Sequence, residues 1–184
     1  MQKISEELLV STPVFNVVKK EFEGVGFKPV GLNCNDWVMA IVIDEFGNSI
    51  FVKQTRWGLE DETIEFPCGT VEPGEDPKVA AQRELLEETG IDLPLESFQE
   101  IADFNPNPAY FNNHMHIYAI YLEGNKTTLD LLNSAKSLKL DENEDCKPFV
   151  SKVSNLREEL CSHGMGALGF LFITMRNWLK QTKN

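Results

Sequence analysis

The stretch from Gly69 to Ile91, GTVEPGEDPKVAAQRELLEETGI, constrains this chain more than any other. It reads as a glycine- and proline-rich loop feeding an acidic helix. Asp76 is placed to cap the helix and Pro77 to occupy its first turn. The helix should run to about Thr89, with Gly90 as its stop. At about 100° per residue, Glu84, Glu87 and Glu88 fall within about 100° of one another. Val79 and Leu86 lie opposite, where they can pack into the core. Three carboxylates on one face repel unless a cation sits among them. Hard oxygen donors of this kind suit Mg²⁺, with Mn²⁺ as a substitute, and Mg²⁺ is commonly shared with substrate phosphates.

The surroundings of that helix predict a sheet between helices. Trp37–Ile43 is a continuous apolar run, as in a buried strand, and Ser49–Thr55 completes a hairpin across the Glu45–Asn48 turn. Residues 56–63 read as a polar loop and Ile64–Phe66 as a short strand ended by Pro67. Phe98–Phe104 and His114–Leu122 read as strands joined by an Asn/Pro loop. Residues 124–147 read as an acidic loop with a short helix, Phe149–Val153 as a strand, Ser154–Leu160 as a short helix, and Gly164 onward as a docked helix. Residues 1–35 form an N-terminal arm or hairpin, and 36–184 the main domain.

Composition excludes several classes. The 184 residues carry 17 basic and 29 acidic side chains, a net charge of −12. Neither nucleic acid nor an anionic membrane is expected as a partner. Bound divalent metal would still admit a phosphorylated substrate. Cys34, Cys68, Cys146 and Cys161 form no CxxC pair, which fits free thiols in a reducing compartment. The start lacks the pattern of a signal peptide, and no apolar window has membrane-spanning length. The expected location is cytoplasmic.

The order Gly69, five residues, Glu75, seven residues, Arg83-Glu84-Leu85, one residue, Glu87-Glu88, one residue, Gly90-Ile91 resembles the complete Nudix box. The resemblance implies an α+β Nudix fold, an α/β/α sandwich with a mixed sheet. It implies a hydrolase that cleaves a nucleoside diphosphate linked to another group. Glu84, Glu87, Glu88 and the carbonyl of Gly69 would hold divalent metal, Arg83 would orient the carboxylates, and Glu75 would support the loop. Val52-Lys-Gln-Thr-Arg56 followed by Glu65-Phe-Pro-Cys-Gly69 is similar to the ADP-ribose pyrophosphatase branch. Arg56 could then grip a phosphate and Glu65 accept from ribose hydroxyls. Cys68 stands where that branch usually has alanine, as a small buried filler. Asn107, between Pro106 and Pro108, stands where the branch often has proline, so a related nucleoside diphosphate sugar or another ADP-linked compound is an alternative to ADP-ribose.

The remaining site residues are candidates of three kinds. Glu142 or Glu144, in an acidic segment resembling the branch's catalytic loop, could activate water, as could Glu84. Trp57, Tyr110 and Phe111 could stack on a base. His114 and His116 alternate on a strand and read as polar residues beside a pocket, a zinc site being the other reading. The branch is usually homodimeric, with the N-terminal segment reaching the partner's site. A nucleoside triphosphate pyrophosphatase and a non-catalytic nucleotide-sugar sensor are the rival functions.

Overall fold

A computed structural model describes residues 1–124, 126–140, 145–156 and 159–181, with backbone alone for 162 and 176–181. Three strands, β1 (Lys3–Ser11), β2 (Phe15–Phe22) and β3 (Val30–Cys34), form a separate antiparallel sheet. The second sheet holds β4 (Trp37–Ile43), β5 (Asn48–Arg56), β6 (Asp61–Glu65), β7 (Cys68–Thr70), β8 (Gln99–Phe104), β9 (Met115–Tyr121) and β10 (Lys147–Lys152). Its main path is β10-β5-β4-β9-β8. Among the described strands only β4 and β9 pair in parallel, from Trp37↔Met115 to Ile43↔Tyr121, so the sheet is mixed as expected.

Alternation along β4 and β9 supplies two cores. Met39, Ile41, Ile43, Ile117 and Ala119 face α4 (Ser162–Gln181), where Ala167, Leu168 and Leu171 are buried. Val38, Ala40, Val42, Tyr118 and Ile120 face α1 (Pro77–Thr89) and its Ala80, Ala81 and Leu85. The partly buried Leu131 and Leu132 of α2 (Thr128–Asn133) extend this second core. Val153 and Leu156, from the short α3 (Val153–Leu156), complete the first. Helices on both faces make the expected α/β/α sandwich.

Helix α1 begins and ends where the sequence puts it. Asp76 accepts from Lys78 N at 2.8 Å, and Gly90 takes φ 72°. A side chain at Gly90 would strike the carbonyl of Lys136 at 2.0 Å, so only glycine fits. The expected burial of Val79 and Leu86 is not found. Val79 is 40% exposed and Leu86 is half-buried, while Ala80, Ala81, Leu85, Glu88 and Thr89 are buried. The buried stripe overlaps the carboxylate stripe because the glutamates face the sheet, not solvent. Two alanines let the helix approach closely enough for that.

The central hairpin forks. Beyond Ile43↔Ser49, β4 and β5 part. One chain segment fills the fork: β6 pairs with β5, and after Pro67, β7 pairs with β4. The region expected to be loop to residue 63 is therefore already strand from Asp61. Phe66 is fully buried between the two arms.

Asp44 pins the other end of the hairpin. Fully buried, it accepts from Phe46 N, Asn48 N, Asn48 Nδ2, and both the N–H and hydroxyl of Thr128. Burial pushes its carboxyl up, but the bonds from Asn48 and Thr128 outweigh it and hold it below the usual range. Asp44→Ala should cost about 2–4 kcal/mol in urea unfolding at neutral pH. Because the folded pKa lies below the unfolded one, this stabilisation is complete above about pH 4 and lost as pH falls through the folded value. The gap between wild type and variant should therefore narrow on acidification. A gap that stayed constant would contradict the assignment.

Candidate active site

Arg83 organises the acidic helix. Its Nε and Nη2 each reach Glu75 at 3.0 Å, a two-pronged grip on the loop. Its Nη1 donates to Glu84 at 2.8 Å and Glu87 at 3.0 Å, and Nη2 donates to the carbonyl of Thr70 at 2.9 Å. One guanidinium thus ties the loop, strand β7 and two carboxylates together. The Glu75 bonds above all hold Arg83 above even the usual guanidinium range. Arg83 in turn keeps Glu75 below the ordinary carboxylate range.

Glu88 is held from the other side. It is 3% exposed. Cys68 N donates to its Oε2 at 3.0 Å, and the Cys146 thiol meets its Oε1 at 3.5 Å. Gly69 lies against Glu84: a Cβ there would fall 2.1 Å from the Glu84 carboxylate. The sequence reading placed Gly69, Arg83, Glu84, Glu87 and Glu88 in one site, and the fold gathers them. It did not foresee Cys146, which arrives from a distant part of the chain with no local signal.

The donor set fits a divalent cation of the Mg²⁺ type. Three carboxylates and a backbone carbonyl are hard oxygen ligands. Glu84 and Glu87 converge on one guanidinium nitrogen, and the space a Gly69 side chain would fill is kept for the Glu84 carboxylate.

Arg56 ends β5 and Glu65 ends β6, and their side chains pair along these two neighbouring strands. The fork-to-fork distances are 2.7 and 2.8 Å. Glu65 is 5% exposed, whereas the Arg56 side chain is 43% exposed. Burial pushes the Glu65 carboxyl up, but Arg56 and Thr63 more than offset it and keep it below the ordinary range. Cys68 lies between this pair and Glu88, and burial pushes its thiol well up, as suits an inert filler.

The aromatic candidates are spread out. Trp57 is 76% exposed in the turn after β5, and Tyr110 is 62% exposed. Phe111 bridges to Leu32 of β3 and lies 6.2 Å from Trp37. Among the described residues no ring contact joins Trp57 to Tyr110 or Phe111. His163, which no local pattern singles out, meets Trp37 edge-on at 5.3 Å and lies within electrostatic reach of Glu65 and Arg56. Burial lowers its imidazole below the usual value. Glu142 and Glu144 lie outside the described residues. On either side of them, Lys139 N donates to the Glu87 carbonyl at 3.1 Å, and Asp145 accepts from Thr55 N and hydroxyl at 2.9 and 2.8 Å.

If Gly69 preserves room for Glu84, Gly69→Ala must displace the end of that side chain while leaving the sheet intact. Calorimetric affinity for Mg²⁺ should fall by about tenfold or more, with an unchanged circular-dichroism spectrum. Unchanged affinity would separate the Gly69–Glu84 contact from metal binding.

Known proteins resemble this chain. It is 37% identical over 81 residues to the methanol dehydrogenase activator of Bacillus methanolicus, covering 44% of this chain and 43% of that protein. It is 35% identical over 81 residues to the ADP-ribose pyrophosphatase of Bacillus subtilis strain 168, with coverages of 44% and 43%. The ADP-sugar pyrophosphatase of Mus musculus is 37% identical over 79 residues, 41% of this chain and 34% of that protein. These similarities span less than half the length of each relative. A solved ADP compounds hydrolase has the same fold, with a TM-score of 0.68 at 21% identity over 98% of this chain and 95% of its own. The NUDIX domain profile matches residues 36–152, which contain every box position described above, and the chain belongs to that family.

Proposed function

We propose that this protein is a divalent-metal-dependent pyrophosphohydrolase. Its substrate is ADP-ribose or a related nucleoside diphosphate sugar, and its products are a nucleoside monophosphate and a sugar phosphate. The observation that carries the reading is the gathering of Glu84 and Glu87 on Arg83, of Gly69 against Glu84 and of Glu88 on the Cys68 N–H, beside the Arg56–Glu65 pair. Similarity to the ADP-ribose and ADP-sugar pyrophosphatases supports the substrate class.

Glu84, Glu87, Glu88 and the Gly69 carbonyl would hold the cation, Mg²⁺ or in its place Mn²⁺. When bound, the cation neutralises phosphate charge and makes water a better nucleophile. The chain supplies the rest. Arg83 keeps Glu84 and Glu87 converged, and the Cys68 N–H fixes Glu88. Arg56 gives two of its five donors to Glu65, and its exposed edge takes a phosphate oxygen. Glu65 accepts from ribose hydroxyls, and Trp57, Tyr110 or Phe111 covers the base. Glu142 or Glu144, or else Glu84, accepts the proton of the attacking water. The water oxygen bonds to one phosphorus as the anhydride oxygen departs with the other phosphate.

The test is product release from ADP-ribose, UDP-glucose, NADH, diadenosine polyphosphates and dNTPs, with Mg²⁺ and with EDTA. AMP from ADP-ribose should appear only with Mg²⁺ and fall by at least about a hundredfold in Glu88→Gln. Within the same panel, Glu142→Gln or Glu144→Gln should lower kcat with little change in KM. Full activity in both would leave Glu84 as the base. Turnover of dNTPs alone would favour triphosphate hydrolysis, and ligand binding without turnover would favour a sensor.

The working unit is a homodimer built on the N-terminal sheet. Strand β1 is exposed along its whole length, and Ile4, Leu8, Val10, Val14 and Phe27 are all more than half exposed. Three strands with so little core need a covering surface. Light scattering should give twice the monomer mass, and Leu8→Glu should halve it. A wild-type monomer would contradict the dimer.

A further inference from the structure

A second group of metal-ligating side chains, distinct from Glu84, Glu87 and Glu88, lies at the β8 edge of the sheet. One ligand atom from each of Glu100, Asp103 and His116 lies within 4.8 Å of the other two. Nδ1 of His116 is 3.3 Å from Glu100 and 3.9 Å from Asp103. Ligands around tetrahedral zinc sit about 3.3 Å apart, so small side-chain rotations would close the set on one ion.

A backbone irregularity creates this group. Asp103 pairs directly with His116, so the two share a face. Glu100 is three residues away and in a regular strand would point to the opposite face. The register shifts between Glu100↔Tyr118 and Ala102↔Ile117, a β-bulge at Ile101. Ile101 and Ala102 both pack toward the α4 core, and Glu100 returns to the α1 face beside Asp103. Bulges at sheet edges re-aim side chains in this way and are common beside functional sites.

Two further observations point to a cation. Among the described residues, Glu100, Asp103 and Asp36 make ion pairs with histidines only, and Lys78, which lines the same cavity as Glu100, pairs with none of them. In addition, Nε2 of His116 is buried without a hydrogen-bond partner. Asp36 Oδ2 stands 3.7 Å from that nitrogen, while Asp36 Oδ1 accepts from His114 N at 2.7 Å. A metal on Nδ1 fixes the proton on Nε2, where Asp36 can take it up as a carboxylate partner. His114 Nδ1 meets Asp103 at 2.6 Å and steadies the second ligand. Glu100 and His116 also border a cavity of about 430 Å³, lined besides by Asp76, Lys78, Phe98 and Tyr118.

We propose that Glu100, Asp103 and His116 form a zinc-type divalent metal site, oriented by Asp36 and His114, with its remaining coordination position toward that cavity. One imidazole and two carboxylates suit Zn²⁺ better than the all-oxygen set on α1 does. The proposal does not depend on the hydrolase reading.

The experiment removes the acidic-helix site first. Zn²⁺ is titrated calorimetrically into a Glu84→Gln/Glu88→Gln protein in excess Mg²⁺. One equivalent should bind. His116→Ala in that background should abolish binding, and Asp103→Asn, at an exposed position that does not threaten folding, should weaken it at least about tenfold. Co²⁺ should give the intense visible absorption of a four-coordinate site, lost with either change. Absence of binding to the double variant, or binding unchanged by both His116→Ala and Asp103→Asn, would overturn the proposal.

Discussion

The guanidinium of Arg83 is the interaction on which the rest of the candidate site depends. Carboxylates gathered on one helix face repel one another, and the helix that carries them would resist docking. Arg83 offsets that repulsion at Glu84 and Glu87 while its other nitrogens hold Glu75 and Thr70. The loop, the short strand and the helix are therefore set relative to one another by a single side chain. Glu88 is secured separately, by the backbone of Cys68. The helix face that carries the chemistry is for this reason also largely the face that packs.

The sheet is built to accept that arrangement. Separation of β4 from β5 opens a gap that β6 and β7 fill in one continuous run bent at Pro67. Arg56, Glu65, Cys68 and Gly69 all emerge at this fork. At the far end, Asp44 closes the turn between the same two strands and ties them to α2, so the fork opens from a fixed base.

Much of this was legible in the chain. The helix from Pro77 to Thr89, its Asp76 cap and its Gly90 stop depend on local chemistry that the sequence displays. The box spacing carried the family and its fold. The buried face of α1 was misread because Val79 and Leu86 are its larger aliphatic residues on one side, and apolar patterning weighs size over contact. Ala80, Ala81 and Leu85 do the packing, the two alanines allowing close approach. The grouping of Glu100, Asp103 and His116 was hidden because a bulge breaks the two-residue alternation on which strand reading rests. Cys146 and His163 reach the candidate site through long-range packing, which leaves no local trace.

Anomalous diffraction from crystals grown with Mn²⁺ and a non-hydrolysable ADP-ribose analogue tests the central arrangement most directly. A manganese peak is expected among Glu84, Glu87, Glu88 and the Gly69 carbonyl, with the analogue's phosphates reaching toward Arg56. Manganese bound elsewhere, or the analogue seated away from that face of α1, would contradict it.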